Sequence, residues 1–227
     1  MEGHPRFGVF LLPNVVLFPQ AKLALHVFEP RYRALVTHAL RGTQRFVVAV
    51  PSDDFGAVSE DESDGIHPVA CVGRIVQHEV LPDGRFDVVV VGESVVRIEE
   101  WIGGAAFRIA RVVVQQPEAC FAEGPEREQR LRELEELLDS ACPGSLASLR
   151  ERIGESLSDG ALELLHTVAM NLPVDLPRKL EWLGCRGSLD RWKAICGTLR
   201  YVAAGRALRE RTISRYSDCL PEDPRRN

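Results

Sequence analysis

Residues 11–36 read LLPNVVLFPQAKLALHVFEPRYRALV, and the fold turns on how that stretch is parsed. Residues 7–12 and 15–18 are two short apolar runs separated by Pro13-Asn14, a pair that favours a turn. A third run, 22–27, leads directly into Phe28-Glu29-Pro30-Arg31-Tyr32. Pro30 is excluded from a helix interior but suits the first turn, where its missing N–H would have no partner anyway. Tyr32, Leu35, Val36, Ala39 and Leu40 then recur at helical spacing, and Gly42 ends the pattern. The expectation is strand, turn, strand, strand, then an amphipathic helix with one buried face.

Outward from that stretch the same reasoning orders the rest of the chain. Residues 45–50 are a short β-branched run, and 51–68 a polar loop with the acids Asp53, Asp54, Glu60, Asp61, Glu62 and Asp64. Residues 69–81 and 85–98 flank Pro82-Asp83-Gly84, which has the chemistry of a tight hairpin. Residues 107–114 alternate as a last strand. Several strands around one helix predict a small mixed or antiparallel barrel.

From Pro125 the period becomes helical. Residues 126–141 place Leu131, Leu134, Leu137 and Leu138 on one face, and Pro143-Gly144 breaks the run. A helix is expected near 145–155, and another capped by Ser158 with the stripe Leu162, Leu165, Val168 and Ala169. Residues 176–183, with Pro177 early and Gly184 just past the end, predict a short helix. Ser188 caps a last helix to about 204, and the charged, proline-punctuated tail after Arg209 should fray. The predicted class is α+β: a β-rich domain over 1–116, a helical bundle over 117–210, and a flexible tail over 211–227.

The 227 residues, 45% hydrophobic, suffice for a substantial core, and the net charge of −5 argues against a protein that lives on a nucleic-acid backbone. No run approaches the ~20 apolar residues that span a bilayer, and MEGHPRFG lacks a signal core, so a cytoplasmic protein without a membrane partner is expected. Cys71, Cys120, Cys142, Cys185, Cys196 and Cys219 form no C-x-x-C pair and lie at no zinc-ligand spacing with His, which predicts small buried hydrophobes and no metal. In the acidic loop, Asp61-Glu62-Ser63-Asp64-Gly65 fails the calcium-loop pattern, so solvated acids are expected there. No G-x-x-x-x-G-K-[ST] loop is present, and no cofactor is expected.

The proline-broken strand, the Leu17-Phe18-Pro19 turn and the Phe28-Glu29-Pro30-Arg31-Tyr32 helix start resemble the N-terminal substrate-binding domain of the Lon protease family. The resemblance continues through Val72-Gly73-Arg74-Ile75, the Asp83-Gly84-Arg85 hairpin and Val91-Gly92-Glu93. It extends to Leu172-Pro173, Lys179-Leu180-Glu181 and Leu189-Asp190-Arg191-Trp192, and so covers roughly 7–200. It implies a PUA-like barrel in a free-standing version of that domain. It also implies a non-enzymatic function: binding of unfolded or apolar polypeptide, as an adaptor that works with a Lon-type protease. The ATPase and Ser-Lys protease modules of that family have no counterpart in these residues.

Each candidate site residue has a plainer role beside the functional one. Lys22, Lys179 and Lys193 are the only lysines, and none sits where burial would depress its pKa as a Ser-Lys dyad requires. His4, His26, His38, His67, His78 and His166 show no i, i+4 metal spacing, and His26 reads as a structural histidine in an apolar strand. Glu29 should cap the helix and Arg31 brace the barrel. Trp182 and Trp192 should pack in the core, and become peptide hot spots if exposed. With Phe28, Arg31 and Tyr32 they make up the peptide-binding set, expected beside a cleft between the barrel and the helices. An open strand edge would suit unfolded chains, because main-chain hydrogen bonds ignore sequence. The alternatives are RNA binding, which needs Arg74, Arg85, Arg97, Arg108 and Arg111 clustered on one face, and small-molecule sensing, which needs a deep enclosed pocket.

Overall fold

The computed structural model describes residues 4–51, 65–103, 106–115, 124–144 and 161–218. Within them the strands are β1 (Arg6–Leu11), β2 (Lys22–Val27), β3 (Arg45–Ala49), β4 (Val69–Val80), β5 (Phe86–Trp101) and β6 (Ile109–Val114). The helices are α1 (Pro30–Arg41), α2 (Gly124–Ala141), α3 (Ala161–Asn171), α4 (Leu176–Leu183) and α5 (Ser188–Asp218). The acidic loop, the helix expected near 145–155 and its neighbour's Ser158 cap fall outside the described residues.

The strand order is β2-β5-β4-β3-β1-β6, and β6 pairs again with β5. This closure is possible because β5 is 16 residues long and changes partner along its length. Its first half pairs with β2, from Val27↔Phe86 to Lys22↔Val91; its second half pairs with β6, from Val96↔Val114 to Trp101↔Ala110. Five strands thus form a ring, and β2 is a spur beside it. The ring is filled by small and β-branched residues from every ring strand: Val9, Val47, Ala49, Ala70, Val72, Val96, Ala110 and Val112, all 3% exposed or less. The period-two alternation of each strand turns their neighbours Phe10, Phe46, Val48 and Cys71 outward into a second, larger core.

The parallel pair β1–β3 requires a crossover, and α1 supplies it. Its buried face, Tyr32, Leu35, Val36 and Ala39, covers the barrel, and the Tyr32 ring stacks on Phe10 at 4.0 Å between centroids. The Tyr32 hydroxyl lies 3.3 Å from both the backbone nitrogen and the carbonyl oxygen of Leu11, which fastens the helix to the end of β1. The helix begins at Pro30 and ends before Gly42, as the sequence predicts.

Residues 15–18 are not the strand that their apolar run suggests. Val16, Leu17 and Phe18 are buried without ladder partners, in an irregular strap held between Pro13 and Pro19. The strap crosses β5 at Gly92, where a Cβ would lie 2.1 Å from the Phe18 carbonyl oxygen, so only glycine admits the crossing. Phe18 then meets the helices, its ring 6.0 Å from that of His166. Leu134 and Leu138 of α2, Leu165 and Val168 of α3, and Ile195 and Leu199 of α5 continue the same apolar core. The last helix does not end near 204; its backbone stays helical to Asp218, and residues 219–227 lie outside the described residues.

Candidate functional site

Beyond the ring, β2, the first half of β5 and the far half of β4 form a three-stranded sheet. The cross-strand register places its residues in rows. Leu23, Leu25, Val27, Val88, Val90, Phe86 and Ile75 face the core, while Lys22, Ala24, His26, Asp87, Val89, Val91, Arg74, Gln77 and Glu79 face solvent. On the solvent face the rows are Lys22–Val91–Arg74, Ala24–Val89–Gln77 and His26–Asp87–Glu79. An open depression of about 360 Å³ lies between the Ala24–Val89–Gln77 row and the His26–Asp87–Glu79 row, over Leu25, Val88 and His78.

β2 pairs only with β5 among the described residues, and no described strand takes its outer edge. The hydrogen-bond phase of this edge follows from its ends. Gly92 N–H donates to the Ala21 carbonyl at 3.1 Å, and Leu81 N–H to the Arg85 carbonyl at 2.8 Å. Because bonded pairs alternate along antiparallel ladders, Leu23, Leu25 and Val27 exchange bonds with β5. The N–H and C=O groups of Ala24 and His26 therefore point outward, away from the sheet.

The tip of this sheet is polar and ordered. Arg85 donates to His26 Nε2 at 3.0 Å, and since a guanidinium has no acceptor, Nδ1 carries the proton and donates to Asp87 Oδ1 at 2.6 Å. His26 is hydrogen-bonded as expected but half-exposed rather than set in an apolar strand. The hairpin holds Gly84 at φ +78°, and the Asp83 carboxylate accepts from the Arg85 N–H, an interaction that draws its pKa below the usual carboxylate value.

Of the residues expected to touch peptide, the structure separates two from three. Phe28 is 60% exposed at the end of β2, its ring 6.3 Å from that of His26. Arg31 is exposed, paired with Glu29 at 2.8 Å and stacked over the Tyr32 ring at 4.6 Å. Glu29 makes no side-chain cap to α1; its carboxylate is turned to Arg31 instead. Tyr32, Trp182 and Trp192 are buried at 6%, 1% and 4% exposure, so they offer no surface here and pack the core. Burial of the Tyr32 hydroxyl raises its pKa.

At the joint between barrel and helices, the described residues Phe18, His166 and Arg191 are buried together. Arg191, fully buried, donates Nε–H to the Trp182 carbonyl at 2.9 Å and Nη2 to the Leu183 carbonyl at 3.2 Å, closing the end of α4. Its Nη1 donates to His166 Nε2 at 3.0 Å. Burial, reinforced by the Arg191 charge, holds the His166 pKa down to about 3, against a weak opposing pull from the Pro19 backbone. Lys179 departs from expectation in the same way: burial lowers its pKa, and its ammonium donates to the Met170 carbonyl at 2.7 Å, an end-cap for α3. Burial pushes the thiols of Cys71 and Cys196 up to about 12, which makes both inert.

Three of the five strand arginines that an RNA-binding face would need are paired with carboxylates. Arg74 pairs with Glu93 at 2.8 Å, Arg85 with Asp83 at 2.6 Å and Arg111 with Glu100 at 2.6 Å. Among the described residues no group of three or more His, Cys, Asp or Glu could hold a metal ion, and no helix is long and apolar enough to cross a membrane. Sequence reasoning passed over Ala24 and Val89; the signal available was the alternation of Lys22, Ala24 and His26 with Leu23, Leu25 and Val27.

Comparison with known proteins gives this geometry its context. The chain is 25% identical over 187 residues to Lon protease 2 of Herpetosiphon aurantiacus, across 77% of this chain and 21% of that protein. It thus spans about a fifth of that relative's length. Its fold is that of a Lon N-terminal domain protein from Xanthomonas campestris, with a TM-score of 0.61 and 21% identity over 85% of this chain and 98% of the other. It is likewise similar to the N-terminal domain of Mycobacterium avium complex Lon protease, with a TM-score of 0.57 and 17% identity over 86% and 98%. Residues 7–199 match the ATP-dependent protease La (LON) substrate-binding domain, and the chain belongs to that family.

Proposed function

We propose that this substrate-binding module takes extended or unfolded polypeptide by strand addition along β2 and presents it, as a non-catalytic adaptor, to a Lon-type protease. The observation that carries the reading is the open β2 edge, with the backbone groups of Ala24 and His26 pointing outward and exposed Phe28 at its end. Such an edge binds backbone irrespective of sequence. Each main-chain hydrogen bond contributes only about 0.5–1.5 kcal/mol net, so an apolar anchor is needed for micromolar affinity. Phe28 has the chemistry of that anchor, and the half-buried Leu23 and Leu25 offer the client's apolar side chains a continuation of the core. RNA binding is disfavoured by the carboxylate partners of Arg74, Arg85 and Arg111.

The test is a fluorescence-anisotropy titration of a labelled, permanently unfolded polypeptide, with single-stranded RNA as competitor. Wild type should saturate in the micromolar range without displacement by RNA. Ala24→Pro removes one outward N–H and leaves the β2–β5 ladder intact, so it should fold normally and bind about tenfold more weakly. Absence of polypeptide binding, or displacement by RNA with a steep salt dependence, would refute the proposal.

A further inference from the structure

We infer that the row Ala24–Val89–Gln77 is a subsite for one aromatic side chain of the bound segment, flanked by charges that favour an acid on one side and a base on the other. This rests on strand addition to β2. A client residue paired with Ala24 has its Cβ about 5 Å from that of Ala24 and on the same face. The Ala24 methyl is too short to fill the space beside it, and a depression of about 360 Å³ remains between Ala24 and Val89 on one side and His26 and Asp87 on the other. Val89 lies on the second strand in from the client, about 9–10 Å away at the usual strand spacing, which a flat, long side chain spans and a short aliphatic one does not. Phenylalanine, tyrosine and tryptophan meet that requirement and lose little rotamer freedom on docking.

The neighbouring rows supply the charge complementarity. Toward the start of β2 the solvent face carries Lys22 and Arg74, on either side of Val91, the Arg74 guanidinium being shared with the Glu93 carboxylate. Toward its end it carries Asp87 and Glu79, beside His26, whose ring is already hydrogen-bonded to Asp87. Client residues two positions before and after the aromatic share its face and stand over these rows. Acid over the Lys22 row and base over the Asp87 row place opposite charges together; the reverse order places like charges together. An antiparallel client therefore reads base-x-aromatic-x-acid from its N-terminus, and a parallel client the reverse.

The experiment uses the full chain and four labelled peptides: Lys-x-Trp-x-Glu and Glu-x-Trp-x-Lys cores in neutral flanks, and each with Trp→Ala. One charge order should bind wild type more tightly, and its Trp→Ala partner should bind about tenfold more weakly. Ala24→Phe fills the depression from the protein's side, at an exposed strand position that tolerates an aromatic. In that variant the Trp and Ala peptides should differ by no more than about twofold. Equal binding of the Trp and Ala peptides to wild type overturns the subsite, as does an undiminished Trp preference in folded Ala24→Phe. If Ala24→Phe fails to fold, the wild-type comparison decides alone. Binding of unfolded polypeptide without Trp preference rejects the subsite and leaves strand addition standing; no binding of any polypeptide rejects both.

Discussion

Acid should loosen the joint between barrel and helices through His166, and the size of the effect follows from its surroundings. The ring is fully buried against Phe18 and receives a hydrogen bond from the Arg191 guanidinium, so Nε2 must be a lone-pair acceptor and the imidazole neutral. Nδ1 finds no hydrogen-bond partner in the described structure. Burial and the Arg191 charge both oppose protonation and lower the pKa from 6.5 to about 3. Because the folded value lies below the unfolded one, the unfolded chain takes up the proton first. The stability that depends on neutral His166 is complete above pH 6.5 and is lost as pH falls from there toward 3. At about 1.4 kcal/mol per pKa unit, this costs about 2 kcal/mol at pH 5 and approaches about 5 kcal/mol only below pH 3.

Urea unfolding of wild type and His166→Gln at pH 7.5 and pH 5 isolates this contribution. Glutamine keeps an oxygen acceptor for Arg191 but does not titrate, so other ionisable groups cancel in the comparison. The loss of stability between the two pH values should be about 2 kcal/mol smaller in His166→Gln than in wild type. Equal losses in both proteins would refute the reasoning.

Two further substitutions test the packing that shapes the fold. Gly92→Ala forces a Cβ to within 2.1 Å of the Phe18 carbonyl oxygen, a backbone atom that cannot swing away, so the denaturation midpoint should fall by an amount equivalent to about 2 kcal/mol or more. Arg191→Met preserves bulk but strips donors from the carbonyls of Trp182 and Leu183 and from His166 Nε2; calorimetry should register a loss of about 3–5 kcal/mol.

Local chemistry made much of the barrel legible. Pro30 and Gly42 bracket α1 because proline lacks the N–H that a helix interior needs and glycine has low helical preference, and both effects act within a single turn. Asp83-Gly84 marks the β4–β5 hairpin for the same kind of reason, since Gly84 adopts a positive φ that other residues resist. The 15–18 run shows the limit. Four apolar residues report burial, and the structure buries them, but ladder partners rather than hydrophobicity decide whether a segment is a strand. The continuation of α5 to Asp218 was hidden in the same way, because polar residues and Gly197 and Gly205 lower helical preference without forbidding a helix.

The candidate site divides along the same line. Phe28 stood out in the sequence as an aromatic at the end of a strand, and the structure exposes it. Ala24 and Val89 carry no signal of their own. Their importance arises because β5 leaves β2 for β6 partway along its length, which closes the ring and strands β2 at an open edge. The sequence by itself determined the β4–β5 turn, the bounds of α1, the alternation of each strand and the family, all of which depend on residues close along the chain or on their order. The tertiary structure alone decided which edge stays open and which histidine must remain neutral. Each of those depends on partners that approach from sequence positions tens of residues away.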